Sequence, residues 1–425
     1  MSFKWFDSNS WMIGGVVYFF LFPLLAIFGL GFGVYPGNTS LLFGNFFLFD
    51  SVSFYLILLS FMLWCSLLFF PLRMSNTTRF MIFLSVSSAL LSYCCVNALG
   101  FWVFYEMSIL PLLYLLISES PYSERYVASW YLLGYVFFTS LPMVMCLFYA
   151  SSVFGSYVVT SWSSSVVCWP GVFFLLVVIF ITKVPLPPFH VWLPIVHAEA
   201  SSPVSVCLSG YIMKLGVLGV CRFCSLVSSG SYFPNFYMVM CFLLGVLFFC
   251  SSCMELDGKR WLAFLSLSHI LISCLCLSVC AFEGVGMSFL FSLGHGFSAG
   301  GSFLLLWLLY EVTGSRNWLV LSQGLSGGFV SRFIYCLCLC TVASLPPTVQ
   351  FFCEVLVLSE AWSVSSCLLG VLGGYLFFGG LIPLLVVGFS LTRPYSLGFS
   401  GSPIFSAWFG TILLVFWGFV MFLVV

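Results

Sequence analysis

Long apolar runs separated by short polar segments alternate along the whole chain. Most of the runs reach or exceed about 20 residues, the length that an α-helix needs to cross the hydrocarbon core of a bilayer. The pattern predicts an all-α polytopic membrane protein, because a helix satisfies its backbone hydrogen bonds without water. About thirteen transmembrane helices are expected, at approximately residues 11–30, 47–70, 79–97, 98–118, 126–150, 169–198, 200–223, 234–254, 258–281, 284–311, 329–361, 365–390 and 403–424.

Two of these predicted helices are too long for a single crossing, and each contains a Pro-Pro pair. Pro187 and Pro188 stand in "KVPLPPFH", whereas Pro346 and Pro347 stand in "SLPPTVQFF". Proline lacks the backbone N–H and clashes with the preceding helical turn, so both helices are expected to be broken. A matching pair of interrupted helices in two halves of a chain is typical of transporters built from inverted repeats.

The breaks therefore predict two inverted five-helix repeats, each containing one broken helix. Irregular backbone at membrane depth survives only where protein or water satisfies the freed groups, so the breaks indicate the translocation region. The predicted divisions are N-terminal transmembrane helices in residues 1–78, the two repeats in residues 79–223 and 234–390, and a C-terminal transmembrane helix in residues 391–425.

Composition agrees with this interpretation and excludes several classes of partner. The 425 residues are 62% hydrophobic and only 6% charged, and a chain of that composition is not a soluble globular domain. Net charge is zero and no basic block is present, so we expect membrane lipid and no nucleic acid as a partner.

Basic residues outside the predicted membrane core test the order of the helices. If the predicted helices alternate, Arg222 is the one such residue on the side opposite the N-terminus. Because basic residues concentrate in loops on the inner side, the asymmetry predicts an N-terminus on the matrix side. The residues on that side are Lys4, Arg73, Arg79, Arg125, Lys259, Arg260, Arg316, Arg332 and Arg393.

The chain contains 19 cysteines, including two C-x-x-C spacings, at Cys221 with Cys224 and at Cys250 with Cys253. A metal site needs ionised thiolates and polar outer ligands, which apolar surroundings do not supply, so no metal is predicted. Abundant Phe, Gly, Cys and Trp beside few lysines are typical of a coding strand rich in T and G, as in a mitochondrial genome. The absence of an Arg-rich presequence agrees with a multi-pass protein of the mitochondrial inner membrane.

Glu106 is the one charged residue between Arg79 and Glu119, deep in the helix "FWVFYEMSILPLL". A carboxylate at that depth is costly unless it is paired, hydrated or neutralised, and intramembrane ionisable groups are usually functional. We therefore predict that Glu106 carries protons. The alternative is a structural ion pair between helices.

Lys183 closes the uncharged run "VFFLLVVIFIT" just before the first Pro-Pro pair, and Lys214 lies within the helix "PVSVCLSGYIMKLGVLG". Burial disfavours the charged form of an amine, whereas a nearby carboxylate favours it. A proton is therefore released when the carboxylate moves away. This competition suggests Glu106 and Lys183 as a controlling pair and Lys214 as the central relay.

The second repeat carries further ionisable residues in apolar surroundings. Glu354, seven residues beyond the second Pro-Pro pair, is expected to occupy a position like that of Lys183. His269 and His295 are candidates for relays because imidazole titrates near neutrality, although a structural role is equally compatible with their positions.

Three further residues have roles that the sequence leaves open. His190 and His197 flank "VWLP", and two imidazoles alone do not make a zinc site, so helix-end hydrogen bonding is favoured over proton access. Lys259 begins a helix on the basic side, where it could serve only to orient the chain. Glu199 and Glu255 lie near helix ends and are expected to be solvated or structural.

The segment "ITKVPLPPFHVWLPIVHAEASSPVSVCLSGYIMKLGVLGVCRF" resembles the signature of the antiporter-like subunits of respiratory complex I and of related cation/proton antiporter complexes. The resemblance continues through "DGKRWLAFLSLSHI", "GHGFSAGGSFLLLWLLYEVTGSR" and "SLPPTVQFFCEVLVL", and covers roughly residues 70–365. Members of that family carry either a lysine or a glutamate on the second broken helix, so Glu354 indicates the glutamate-bearing type.

The resemblance implies a subunit of a proton-translocating NADH:ubiquinone oxidoreductase, which lies beside other antiporter-like subunits of the membrane arm. It implies no cofactor in this chain, because NADH, FMN, the iron-sulfur clusters and ubiquinone bind to other subunits of such complexes. Family members usually have fourteen helices, whereas only three are expected before the helix of Glu106. The roles that the resemblance implies match the residues already singled out, namely Glu106, Lys183, Lys214, His269, His295 and Glu354.

Three alternatives make different demands on the chain. A stand-alone sodium/proton antiporter subunit would use the same charged residues without redox coupling, but the coding bias disfavours it. A cytochrome b-like bundle needs histidines paired on facing helices to ligate haem, and four scattered histidines do not supply repeated pairs. A purely structural scaffold requires that neutralising Glu106 or Lys214 leaves proton pumping intact.

Overall fold

The computed structural model describes residues 9–15, 17, 41–43, 46–70, 74–162, 170–224, 233–279, 284–327, 329–392 and 405–424, and most of these are helical. Most of the first predicted helix, together with Lys4, Arg73 and Arg393, lies outside the described residues, although residues 9–15 and 17 are helical. In chain order the helices are α1 Ser51–Leu68, α2 Asn76–Cys94, α3 Ala98–Glu119, α4 Arg125–Phe154, α5 Pro170–Lys183, α6 Trp192–Glu199, α7 Ser202–Cys224, α8 Asn235–Ser252, α9 Gly258–Val279, α10 Gly284–Thr313, α11 Phe329–Val342, α12 Val349–Val364, α13 Ser366–Thr392 and α14 Phe405–Val420.

Short elements complete the described part of the chain. Strands β1 (Leu41–Phe43) and β2 (Phe47–Phe49) form one antiparallel hairpin. The hairpin replaces the first residues of the helix predicted over 47–70, because the Asp50 side chain accepts a hydrogen bond from the N–H of Ser53 and so begins α1 at Ser51. Single helical turns lie at Val159–Ser161, Trp318–Leu321, Ser322–Gly327 and Met421–Val424.

Eight helices of the described residues are long and apolar enough to cross a membrane, which confirms the predicted all-α membrane architecture. Their burial separates inner from outer helices. The most apolar windows of α7 and α9 are 94% buried and that of α10 is fully buried, whereas that of α13 is only 28% buried. The inner helices α7, α9 and α10 are therefore shielded from lipid, and they carry Lys214, His269 and His295.

Both predicted broken helices are present, as α5 with α6 and as α11 with α12, and they share the same local backbone path. The N–H of Val184 bonds to the carbonyl four residues back and that of Leu186 to the carbonyl five residues back. Ala343 and Leu345 repeat these two bonds, 159 positions further along in each case (343 − 184 and 345 − 186). Both Pro-Pro peptide bonds are cis.

This register corrects one expectation from the sequence. Lys183 is the last residue of α5, before the break, and a shift of 159 positions places Val342 at the equivalent point of α11 (183 + 159 = 342). Glu354 lies in α12, beyond the second break. The prediction that Glu354 occupies a position like that of Lys183 is therefore wrong. The two charged residues lie on opposite sides of their respective breaks.

Close packing between α5 and α7 brings the first break against the helix of Lys214. A Cβ atom added to Gly216 would lie 2.6 Å from Cγ2 of Val184, and one added to Gly219 would lie 2.2 Å from Cε1 of Phe180. The two helices approach this closely only because neither glycine has a side chain. Val184 adjoins Lys183 in sequence, so the contact brings the backbones beside the two lysines together.

Arg222, which the sequence placed opposite the other basic residues, has a specific partner. Its guanidinium binds both carboxylate oxygens of Asp50, at 2.8 Å and 2.9 Å, and also contacts the Ser53 hydroxyl at 3.2 Å and the Tyr93 carbonyl at 3.4 Å. The planar fork of arginine matches this bidentate arrangement. Arg222 is therefore a clamp between α7 and the start of α1.

Candidate proton-relay axis

Glu106 lies within α3, and Lys183 is the last residue of α5. Both are nearly buried, at 8% and 5% exposure, and their charges interact. The Lys183 amine lies 5.8 Å from the centroid of the Tyr105 ring. Within the described residues, neither Oε1 of Glu106 nor Nζ of Lys183 has a hydrogen-bond partner. The predicted pair thus interacts through its charges, and the strength of that interaction depends on the distance between them.

Lys214 is fully buried on α7, two residues after an irregularity in the helix. Residues Leu208–Ile212 form a π-turn, in which the N–H of Met213 donates to the carbonyl of Leu208, five residues back. The Lys214 amine donates to the Ser209 carbonyl at 2.5 Å and lies 2.9 Å from Nδ1 of His295. Single π-turns recur at functional sites because they expose backbone carbonyls and rotate side chains.

His295 and His269 continue the line from Lys214 across α10 and α9. Their ring centroids are 6.0 Å apart, and both rings are buried. On its far side, Nδ1 of His269 lies 3.0 Å from the hydroxyl of Tyr375 on α13. Within the described residues, Nε2 of each histidine lacks a hydrogen-bond partner. A neutral imidazole donates at one nitrogen and accepts at the other, so each ring can take a proton on one side and release it on the other.

Glu354 lies at the far end of this line, buried on α12. The hydroxyl of Ser344 donates to its Oε1 at 2.9 Å. Ser344 belongs to the second break, where its backbone adopts a left-handed φ of 52°. The second break therefore supplies the hydrogen-bond donor to the carboxylate.

The three residues with open roles lie at one end of the bundle or near it. The Lys259 amine donates to the Ala200 carbonyl at 2.8 Å, and the Arg316 guanidinium donates to the Ala198 carbonyl and pairs with Asp257 at 3.3 Å. These cations bind carbonyls at the end of α6. The helix-end hydrogen bonding expected of His197 is not found, because neither of its ring nitrogens has a hydrogen-bond partner within the described residues. Arg316 also lies 3.9 Å from the centroid of the Tyr122 ring.

His197 and His190 differ in their surroundings. His197 is fully buried, stacks on Phe303 with centroids 5.0 Å apart, and interacts electrostatically with Lys259 and Lys214. His190 is only half-buried and lies against Phe248.

Within the described residues, no group of three or more His, Cys, Asp or Glu side chains could hold a metal ion, and the four cysteines of the C-x-x-C spacings are free thiols.

Two residues at this site were not predicted from the sequence. Tyr375 stands in "VLGGYLFF" and Ser344 in "VASLPP", where neither differs visibly from many other tyrosines and serines of the chain. The one usable signal is general, since a buried tyrosine hydroxyl usually finds a partner. Only the packing of α13 on α9 identifies that partner as His269.

The described helices, two broken elements and a buried line of titratable groups define a class of protein, a polytopic α-helical membrane protein with ionisable side chains in its interior. The family described as "NADH:quinone oxidoreductase/Mrp antiporter, TM" matches residues 95–379. The chain belongs to that family.

Curated relatives support the same assignment over most of the chain. The chain is 29% identical over 314 residues to the NADH-ubiquinone oxidoreductase chain 4 of Locusta migratoria, a match that covers 72% of this chain and 69% of the relative. It is 27% identical over 428 residues to the protein of the same name from Ceratitis capitata, covering 95% and 93% of the two chains.

Solved structures share the fold. A chain of respiratory complex I from Thermus thermophilus superimposes with a TM-score of 0.82 at 20% identity, covering 96% of this chain and 90% of that one. A chain of the Mrp complex from Dietzia sp. superimposes with a TM-score of 0.77 at 15% identity, covering 98% and 88%. The arrangement of helices is thus common to both kinds of complex.

Proposed function

We propose that this chain is a core membrane-arm subunit of a proton-translocating NADH:ubiquinone oxidoreductase, of the type that its relatives name chain 4. It lies in the mitochondrial inner membrane beside other antiporter-like subunits and moves protons through its buried axis. The chain acts as part of that enzyme and carries out no redox step itself. NADH, FMN, the iron-sulfur clusters and ubiquinone bind to other subunits.

Glu106 and Lys183 control whether the axis accepts a proton. While the carboxylate lies near the amine, it stabilises the ammonium form, because opposite charges attract strongly in a low dielectric. When the carboxylate moves away, the buried ammonium loses that support and releases its proton toward α7. The close contact of Val184 with Gly216 supports such a transfer, since it holds the end of α5 against the helix of Lys214.

Lys214 then passes the proton across the centre of the bundle. An N–H bond of its ammonium breaks, a new bond forms at Nδ1 of His295, and the ring releases its Nε2 proton toward His269. A single bridging water suffices where two groups lie too far apart for direct contact. Glu354 is the terminal acceptor, from which the proton leaves the axis.

The observation that carries the proposal is the 2.9 Å separation between the Lys214 amine and Nδ1 of His295. A buried amine beside a second basic group is costly and is retained where the proton must move between them. Both side chains lie on inner helices, away from lipid. A purely structural contact at this place would be made more cheaply by two apolar residues.

The proposal is tested by Lys214→Met and Glu106→Gln in the assembled complex, reconstituted in liposomes with NADH and ubiquinone. We expect either variant to block turnover or to lower the number of protons pumped per electron. Normal pumping by a fully assembled Lys214→Met complex would overturn the assigned roles and favour a structural scaffold. The NADH:ferricyanide reaction, which does not involve the membrane arm, serves as the control for intact redox subunits.

A stand-alone sodium/proton antiporter subunit is the second candidate, because the Mrp complex shares the fold. The names of the curated relatives favour the respiratory enzyme. The two functions differ in one measurement. Transport by the antiporter type is driven by an ion gradient and requires neither NADH nor ubiquinone, whereas proton pumping by the proposed subunit needs NADH and stops when ubiquinone is withheld.

A further inference from the structure

The hydroxyl of Tyr375 contacts the last histidine of the axis and interacts with the terminal carboxylate. It lies 3.0 Å from Nδ1 of His269, and Glu354 interacts with it electrostatically. Tyr375 is fully buried, so its hydroxyl has no access to bulk water.

Helix packing explains how three separate elements converge here. Helix α12, which carries Glu354, packs against both α9 with His269 and α13 with Tyr375. Gly379 lies one turn beyond Tyr375 on α13, and a Cβ atom there would lie 3.3 Å from Phe249 and 3.9 Å from Cε1 of His269. The glycine therefore lets α13 pack tightly against Phe249, beside the histidine.

The surrounding rings hold the phenol in one orientation. Phe242 and Phe249 each lie with ring centroids 5.1 Å from that of Tyr375, at interplanar angles of 79° and 50°. The His269 ring is nearly perpendicular to the phenol, at 88°. A side chain packed in this way pays little additional entropy to keep its hydroxyl on target, which is the condition for efficient proton transfer.

We propose that Tyr375 is a further proton-transfer residue, which links His269 to Glu354. The inference rests on the proposed function and supplies its transfer step between His269 and Glu354. In the transfer, the N–H bond at Nδ1 of the His269 imidazolium breaks and a bond to the phenol oxygen forms. The original O–H bond of the phenol breaks at the same time and a carboxylic O–H bond forms at Glu354. One proton crosses, and Tyr375 is neutral before and after.

The step also gives Nδ1 of His269 a group to which it can release a proton. Nε2 of His269 has no hydrogen-bond partner within the described residues, whereas Nδ1 is bound to the phenol. A proton that arrives at one nitrogen therefore leaves from the other, through the hydroxyl of Tyr375.

Tyr375→Phe tests the inference, because it removes the hydroxyl and leaves the ring among its aromatic neighbours. The matched control is Tyr335→Phe on α11, which removes another fully buried hydroxyl away from the line. Each variant is assembled in the complex and reconstituted in liposomes. Assembly, NADH:ferricyanide activity, NADH:ubiquinone turnover and protons pumped per electron are then measured for both variants and for Lys214→Met.

We expect Tyr375→Phe to assemble normally and to lose coupled turnover by about tenfold or more, since a positioned acid–base group contributes roughly that much or more. Tyr335→Phe should retain full pumping. If Tyr375→Phe pumps normally while Lys214→Met does not, the role of Tyr375 is refuted and the proposed function stands. If Lys214→Met also pumps normally, the proposed function itself fails. A lowered thermal stability of Tyr375→Phe with unchanged turnover and unchanged protons per electron would mean a structural hydrogen bond and would equally refute the inference.

Discussion

The amine of Lys214 lies 2.9 Å from Nδ1 of His295, across the contact between α7 and α10. Two basic groups at this distance cannot both be protonated without strong repulsion in a buried site. The two groups therefore compete for one proton. This property distinguishes a relay from a fixed charge, and it can be tested with substitutions that separate charge from proton release.

Lys214→Arg separates the positive charge of the side chain from its ability to release a proton. Arginine keeps the positive charge but remains protonated under all ordinary conditions, so it cannot pass a proton on. We expect an assembled complex whose pumping falls as far as in Lys214→Met. Full pumping by Lys214→Arg would mean that a permanent charge is sufficient. Arg260→Lys, on a side chain that is 48% exposed, is the control and should pump normally.

Ser344→Ala tests the link between the second break and Glu354. The substitution removes the hydroxyl that donates to the carboxylate at 2.9 Å, a hydrogen bond to a charged group worth roughly 1.5–3 kcal/mol. We expect coupled turnover to fall by roughly tenfold or more with assembly intact, because each 1.4 kcal/mol corresponds to a factor of about ten. Ser359 is an exposed residue on the helix of Glu354, and its hydroxyl bonds only to the carbonyl of Leu356. Ser359→Ala should therefore leave turnover unchanged.

Arg222→Lys tests the clamp between α7 and the start of α1. Lysine cannot reproduce the bidentate contact with Asp50, and the Ser53 and Tyr93 contacts are lost with it. The pair is partly exposed, so we expect a loss of roughly 1–3 kcal/mol, seen as a lower Tm of the purified complex. Protons pumped per electron should not change. An altered pumping ratio without loss of stability would contradict the purely structural role.

Gly219→Ala tests the close approach of α5 to α7. The added Cβ would lie 2.2 Å from a Phe180 ring that is itself stacked on Phe223, so the ring must shift and disturb that stacking. We expect poor assembly, rescued when Phe180→Leu is added. Gly373→Ala is the control, since no atom lies within 4 Å of the position of its Cβ. Normal assembly of Gly219→Ala alone would show that the helices can separate without consequence.

The sequence by itself determined the membrane architecture, the two broken helices and the principal charged residues. These are local properties, since hydrophobicity, proline and an isolated charge act on the segment that contains them. Glu106, Lys183, Lys214, His269, His295 and Glu354 could all be selected in this way. Their individual roles in proton transfer remain predictions.

Only the tertiary structure decided which of these groups meet. Lys214 and His295 are 81 residues apart and His269 and Tyr375 are 106 apart, so their contacts depend on how each helix is rotated and where it crosses its neighbours. The same geometry gave Arg222 its partner, Asp50. Rotation and crossing follow from the packing of all the helices together, and no single segment contains that information.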